Sequence, residues 1–184
     1  DGIKFGISRG GRCLIADDMG LGKTVQALCI AAYFAPEWPA LVVAPPALRS
    51  VWRSHALSWL RHLLQPHEVQ VIGSGKDEFE PCARLVIMSY DLLARHAKFQ
   101  AGRNGVPFAV VIVDESHYIK EQASKRSQAV VSLCKKSSRC ILISGTPSMN
   151  SSSELFTQLQ SLAPSVMPSF NTFCERYCEK QDTF

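Results

Sequence analysis

Two short segments of the chain contain residue types that could carry out phosphate chemistry. The first is D-D-M-G-L-G-K-T at residues 17–24, and the second is D-E-S-H at residues 114–117. A glycine-containing loop that runs into a helix can aim backbone N–H groups at an anionic phosphate. Two adjacent acids can supply a magnesium ligand and a general base. Together the two segments predict a site for ATP hydrolysis.

The glycine loop has the residues that a phosphate cradle needs, each in its expected place. Gly20 and Gly22 permit a tight turn, Lys23 is placed to reach the β and γ phosphates, and the Thr24 hydroxyl is placed to bind Mg²⁺. The full pattern begins with glycine, and here Asp17 holds that position. The alternative is a turn with a chance G-K-T. The residues predicted to bind ATP are Asp17, Asp18, Met19, Gly20, Leu21, Gly22, Lys23 and Thr24.

The second segment follows an apolar run made of valine and isoleucine. Asp114 is predicted to hold Mg²⁺ directly or through water, and Glu115 is predicted to activate the attacking water. Lys23, Asp114 and Glu115 are therefore the candidate catalytic residues. The alternative is a structural one, in which Asp114 caps a helix by accepting backbone N–H bonds.

Three further polar residues are candidates for coupling the nucleotide site to a second surface. His117 follows the acidic pair directly, although a lone histidine can equally be a packing residue. Ser144 and Thr146 lie in S-G-T-P, after another apolar run, where their hydroxyls could sense the γ phosphate. The bare tetrapeptide is also an ordinary turn signal.

Short apolar runs alternate with helical patterns along the chain, which predicts an α/β fold with a mostly parallel sheet covered on both faces. Ligands bind such sheets at the carboxyl ends of the strands, and the candidate motifs all stand there. The predicted strands are residues 12–16, 41–44, 69–72, 85–88, 110–113 and 140–143. The predicted helices are residues 24–35, 47–64, 154–162 and 170–178, with an amphipathic helix tail at residues 3–7 and an exposed loop at 98–106.

Bulk composition fits one globular domain. The 184 residues are 46% hydrophobic and carry a net charge of +4, which permits a phosphate-backbone partner without requiring one. The seven cysteines form no C-x-x-C pair, which favours a reducing cytosolic or nuclear compartment, and Cys174 and Cys178 are expected to pack rather than bind metal. No apolar run is long enough to cross a bilayer, so no membrane association is expected. The chain does not begin with methionine and is expected to be a piece of a longer protein.

The motifs described above, taken together, resemble those of a known protein family. D-D-M-G-L-G-K-T, D-E-S-H and S-G-T-P, with A-P-P-A-L-R-S-V-W between them, resemble the SWI/SNF-type ATPases of helicase superfamily two. The resemblance runs from Gly11 through Cys178. V-D-E-S-H-Y-I-K, S-G-T-P-S-M and E-L-F-T-Q-L are similar to the annealing-helicase branch, the HepA-related proteins that remodel replication forks.

The resemblance implies that residues 1–184 are an N-terminal RecA-like lobe that binds ATP and Mg²⁺. It also implies duplex or forked DNA as partner and a nuclear location. The family's second RecA-like lobe, with its arginine finger, and its adenine-reading glutamine are not in this sequence. Residues implied to lie along the DNA-tracking strand, for which ordinary turn chemistry is the alternative, are Pro45, Pro46, Arg49, Ser89 and Tyr90.

The expected function is that of a DNA-dependent ATPase that translocates on DNA and rewinds or remodels it. Two rival hypotheses are a nucleosome-remodelling ATPase of the same family and an ATP-dependent binding switch that does not translocate. A GTPase is disfavoured because the sequence contains no N-K-x-D base-reading motif.

Overall fold

A computed structural model describes residues 1–147 and 152–178. Within these residues a six-stranded sheet is flanked by helices on both faces. The strands are β1 (Arg12–Ile15), β2 (Ala40–Ala44), β3 (Val69–Val71), β4 (Leu85–Ser89), β5 (Val110–Asp114) and β6 (Arg139–Ile143). The helices are α1 (Gly2–Ser8), α2 (Lys23–Tyr33), α3 (Arg49–Trp59), α4 (Tyr90–Arg95), α5 (Ala97–Gln100), α6 (Lys125–Lys136), α7 (Phe156–Leu162) and α8 (Phe170–Tyr177).

The strands lie in the order β1-β6-β5-β2-β4-β3, and every neighbouring pair is parallel. The carboxyl ends of all strands therefore meet at one edge. Because β6 lies between β1 and β5, the segments that follow these three strands are neighbours at that edge. The predicted parallel α/β fold is confirmed.

Successive side chains of each central strand enter different cores, because strand residues alternate between the faces of a sheet. Val42 of β2 packs in the core that contains Leu28 of α2 and Trp52 of α3. Its neighbour Val43 packs in the opposite core, with Leu133 of α6. All five β2 residues are fully buried, which is why this strand reads as a continuous apolar run.

Arg12 ties the edge strand β1 to the ends of two helices. Its guanidinium donates hydrogen bonds to the carbonyl oxygens of Leu162 and Ser137, both at 2.7 Å, and of Cys134 at 3.1 Å. A further bond goes to the Ser161 carbonyl. These carbonyls lie at the carboxyl ends of α6 and α7, where helix carbonyls lack partners within the helix.

We expect Arg12→Ala to lower the free energy of unfolding by about 2–4 kcal/mol, because several part-buried carbonyls would lose a charged donor. Arg9→Ala is the control, since Arg9 is exposed and its side chain contacts only the Phe5 ring among the interactions described. Its effect should stay within about 0.5 kcal/mol. Urea unfolding of the 184-residue chain measures both values, and equal effects would contradict this role for Arg12.

The long helix predicted for residues 47–64 is shorter in the structure. A 3₁₀ turn (Pro46–Leu48) precedes α3, which ends at Trp59. The backbone leaves the helical region at Leu60, and the turn that follows buries both Leu60 and Leu64. Within α3, Trp52 is buried, whereas Val51 and Trp59 are exposed.

The segment predicted as an exposed loop at residues 98–106 is partly ordered into the core. Phe99 of α5 is fully buried and packs edge-on against Phe79, with ring centroids 5.6 Å apart. Arg103 and Val106 then form an isolated antiparallel bridge. The sequence prediction also missed α6, although its buried residues Val130, Leu133 and Cys134 stand at helical spacing and its Ser124 N-cap accepts a bond from the Ser127 N–H.

Two smaller expectations concern the cysteines and the membrane. The thiols of Cys174 and Cys178 are free and half-buried, and no group of three or more potential metal ligands occurs within residues 1–147 and 152–178. In the same part of the chain, no helix has the length and apolar character to span a bilayer.

Candidate active site

The glycine loop connects the carboxyl end of β1 to the first turn of α2. Gly20 and Gly22 have φ values of 82° and 74°, in the left-handed region that favours glycine. A β-carbon at either position would meet no atom within 4 Å, so this face of the loop is open. Gly22 is the N-cap of α2, whose unpaired N–H groups and positive dipole end are suited to phosphate.

Lys23 points back across this loop. Its ammonium donates hydrogen bonds to the carbonyl oxygens of Asp17 at 2.6 Å and Asp18 at 2.8 Å. Gln26 supports the loop by donating to the Asp17 carboxylate at 2.8 Å and to the Leu21 carbonyl at 3.3 Å. Asp17, which replaces the first glycine of the common pattern, is therefore part of the loop's internal hydrogen bonding.

Asp114 lies at the end of β5 and is buried. Its Oδ2 accepts a hydrogen bond from the Trp52 indole at 2.7 Å, and its Oδ1 accepts one from the Glu115 N–H at 2.9 Å. Burial raises the pKa of the Asp114 carboxyl, while the Trp52 N–H and the positive charge of Lys23 act in the opposite direction. A positive charge nearby favours the ionised form of this buried carboxyl, so the position is suited to binding a metal cation.

Glu115 has a backbone conformation that is unusual for a residue other than glycine. Its φ and ψ are 52° and 53°, in the left-handed region, and such strain is found more often at functional sites than elsewhere. Its carboxylate is about one-third exposed, and Oε2 lies 3.3 Å from Nδ1 of His117. The strained turn leaves the Glu115 carboxylate accessible while Asp114 stays buried.

His117 joins the acidic segment to the segment after β6. The same Nδ1 lies 3.1 Å from the Ser144 hydroxyl, which also accepts a bond from the Thr146 N–H. Ser144 is fully buried, and the Thr146 side chain is exposed. A β-carbon on Gly145 would lie 3.7 Å from Nζ of Lys23. Ser144 thus contacts both other coupling candidates, His117 through the imidazole and Thr146 through its backbone N–H, and the segment lies next to Lys23 of the glycine loop.

The residues expected along the DNA-tracking strand divide into two groups. Pro45 is half-buried at the end of β2, and Arg49 begins α3. The Arg49 guanidinium donates to the carbonyl oxygens of Pro46 at 3.2 Å and Ile72 at 2.5 Å. These two residues lie at the same sheet edge as the nucleotide-site segments.

Ser89 and Tyr90, which are also expected along the DNA-tracking strand, turn their side chains into the protein. Ser89 is buried, and its hydroxyl caps α4 by accepting the Leu92 N–H. Tyr90 is 2% exposed, and its hydroxyl donates to the carbonyl oxygens of Asp114 at 2.5 Å and Glu115 at 3.3 Å. Both side chains are buried within the protein, and the expected DNA contact of these two residues stays a prediction. Tyr90 instead holds the backbone of the acidic pair.

The site has residues of the types that could hold Mg²⁺ and ATP. Mg²⁺ prefers hard oxygen ligands and in nucleotide enzymes combines one or two protein carboxylates with substrate phosphates. The Asp114 carboxylate and the Thr24 hydroxyl are such ligands, and the open face of the loop leaves room for the phosphates. The sequence prediction missed the roles of Gln26 and Trp52, whose side chains donate hydrogen bonds to Asp17 and Asp114.

Comparison with known proteins relates the whole chain to one family. The model of the SNF2-related domain matches residues 2–182. A protein of Xenopus tropicalis named SWI/SNF-related matrix-associated actin-dependent regulator of chromatin subfamily A-like protein 1 is 45% identical over 179 residues, which are 97% of this chain and 18% of that protein. The human DNA annealing helicase and endonuclease ZRANB3 is 39% identical over 180 residues, 97% of this chain and 17% of that protein.

Solved structures give the same relationship. The Sulfolobus solfataricus SWI2/SNF2 ATPase core in complex with dsDNA matches with a TM-score of 0.78 and 26% identity, over 94% of this chain and 36% of that one. Ser148 and Met149 of the S-G-T-P-S-M segment lie outside the described residues, so that part of the resemblance rests on sequence alone. The parallel sheet, the glycine loop and the matched family model agree, and the chain belongs to the SNF2-related domain family.

Proposed function

We propose that this chain is the ATP-binding lobe of a DNA-dependent ATPase that translocates on duplex or forked DNA and anneals or remodels it. Replication-fork remodelling and DNA repair in the nucleus are the proposed setting. The observation that carries the proposal is the β1-β6-β5 order, which makes neighbours of the glycine loop, the Ser144 segment and the acidic pair. Relatives named as a DNA annealing helicase support the choice of reaction.

The proposed roles follow from the geometry of each group. Lys23 exchanges the carbonyls of Asp17 and Asp18 for phosphate oxygens, to which an ammonium binds more strongly. Glu115 is accessible and orients the attacking water. A Mg²⁺ bound by Thr24 and Asp114 would neutralise charge on the phosphates. In these assignments, phosphate is bound by the segment that follows β1, and water is activated by the segment that follows β5.

Coupling to DNA is proposed to pass through the contacts of His117. This residue touches both the Glu115 carboxylate and the Ser144 hydroxyl, so a shift of either segment changes the position of the other. Pro45 and Arg49 are the proposed DNA contacts at the same edge. A second RecA-like lobe is the proposed partner that closes over ATP and contributes the arginine that stabilises the transition state.

The chain spans about a sixth of the curated relatives it matches, so the test uses the intact protein. ATPase activity should rise at least about tenfold with forked DNA, a change of about 1.4 kcal/mol in activation free energy. A fluorescent fork or bubble substrate should be rewound in the presence of ATP and not of a non-hydrolysable analogue. Absence of both effects would contradict the proposal.

Two rival functions predict different results for the intact protein, in assays with nucleosomes and with triplex DNA. A nucleosome-remodelling ATPase, favoured by relatives named as regulators of chromatin, would respond to nucleosomes far more than to forked DNA and would slide them. A binding switch would change its DNA affinity with ATP but displace no third strand from a triplex. Either result would replace the proposed function.

The isolated 184-residue chain should show little DNA-stimulated ATPase activity. An arginine supplied from outside the site is worth about 10³–10⁵ in kcat in related phosphoryl-transfer enzymes. The measurement compares the isolated chain with the intact protein at saturating DNA. Stimulation of similar size in both would show that this chain alone completes the site.

A further inference from the structure

A buried indole touches the proposed metal ligand from outside the phosphate site. Trp52 is on the first turn of α3 and is 1% exposed. Its Nε1–H donates a hydrogen bond to Oδ2 of Asp114 at 2.7 Å. Neither the glycine loop nor the acidic segment contributes this contact, which joins residues 62 positions apart.

The two hydrogen bonds to Asp114 together fix the plane of its carboxylate. Trp52 holds Oδ2, and the Glu115 N–H holds Oδ1 at 2.9 Å. Each oxygen accepts one bond here and has a second lone pair available for a metal ion or its bound water. Without the indole, the carboxylate would be held at one oxygen only and could rotate about its last bond.

Tryptophan suits this task because it donates one hydrogen bond without adding a charge. A lysine or arginine at the same place would compete with Mg²⁺ for the negative charge of Asp114. An uncharged partner that orients a metal ligand from behind is a common feature of metal sites. The low exposure of Trp52 also keeps water from taking over its hydrogen bond.

The position of Trp52 connects the carboxylate to the edge proposed for DNA. Trp52 is three residues after Arg49, whose guanidinium ties the first turn of α3 to the carbonyls of Pro46 and Ile72. A displacement of this turn therefore moves the indole. Because the indole is hydrogen-bonded to Asp114, the displacement reaches the metal ligand directly.

We propose that Trp52 is a positioning residue, which orients the Asp114 carboxylate for Mg²⁺ and links it to the first turn of α3. The inference rests on the proposed function, since it assumes that Asp114 binds Mg²⁺ with ATP. It assigns a role in metal binding to a residue that otherwise belongs to the hydrophobic core.

The test uses Trp52→Phe in the intact protein, which retains an aromatic ring and removes the N–H. Trp38→Phe is the matched control, because the Trp38 indole donates to the Ala31 carbonyl at 2.9 Å and packs against the same core, away from Asp114. Affinity for a fluorescent ADP analogue is measured in Mg²⁺ and in EDTA, without DNA. This readout does not depend on hydrolysis.

We expect Trp52→Phe to weaken binding in Mg²⁺ by about 10- to 100-fold, as is usual for the loss of a partner of a metal ligand. Affinity in EDTA should stay within about twofold, and DNA stimulation of the ATPase should fall. Trp38→Phe should change none of these values. Equal losses in Mg²⁺ and EDTA, or equal effects of the two variants, would overturn the proposal.

A second variant covers the case in which phenylalanine leaves a cavity that unfolds the protein. Trp52 is replaced by 3-benzothienylalanine, in which sulfur takes the place of the N–H at nearly unchanged shape. The same selective loss in Mg²⁺ supports the proposal, and unchanged binding refutes it. If the unaltered protein shows no Mg²⁺ dependence, the assignment of Asp114 as metal ligand fails instead, which separates the two hypotheses.

Discussion

Replacement of Lys23 by alanine in the intact protein is expected to reduce kcat for ATP hydrolysis by at least about 10²- to 10³-fold. The ammonium is the only side-chain cation that the described structure places within the glycine loop, where it bonds to the carbonyls of Asp17 and Asp18. Without Lys23, water can replace the ammonium at the exposed Asp18 carbonyl, whereas the Asp17 carbonyl is part-buried. The phosphates lose their positive partner.

The Lys23→Ala experiment needs a control for the loss of a surface charge. Lys76→Ala serves, because Lys76 is an exposed lysine in the turn after β3. Hydrolysis is measured at saturating ATP and DNA, and thermal unfolding confirms that both variants fold. Near-normal turnover in Lys23→Ala would contradict the assignment of residues 17–24 as a phosphate loop.

Glu115→Gln is expected to separate nucleotide binding from hydrolysis. Glutamine has nearly the same shape and can still reach His117, but it cannot accept a proton from water. A positioned general base contributes about 10²–10⁴ to the rate, so kcat should fall by that factor. Affinity for Mg²⁺-ATP should stay within about twofold, since Asp114 and Thr24 carry the metal assignment.

Glu121→Gln is the control for Glu115→Gln, because it neutralises an exposed acid in the neighbouring loop. Binding is measured with a fluorescent ATP analogue and turnover by phosphate release. Glu121→Gln should leave both unchanged. If Glu115→Gln instead loses nucleotide binding, the strained Glu115 backbone and its contact with His117 are structural, and the base lies elsewhere.

His117 shows how a sequence motif and a tertiary contact combine. The sequence places it two residues after Glu115, and that proximity alone predicts the contact with the Glu115 carboxylate. Its second contact, with Ser144, joins segments 27 positions apart and exists because β5 and β6 are neighbours. The proposed coupling through His117 needs both contacts.

The sequence by itself determined the local features of the site. Gly20, Gly22, Lys23 and Thr24 predict a phosphate loop, because backbone conformation and the spacing of lysine and hydroxyl depend on adjacent residues. The alternation of short apolar runs with helical patterns likewise predicted a parallel sheet with the motifs at its carboxyl edge, and the structure has that sheet.

Only the tertiary structure decided which of these segments touch. The insertion of β6 between β1 and β5, the bond from Trp52 to Asp114 and the burial of Tyr90 beneath the acidic pair all join residues far apart in the chain. Such contacts depend on strand order and side-chain packing. Both are properties of the whole core rather than of any local pattern, because each buried group must fit all of its neighbours at once.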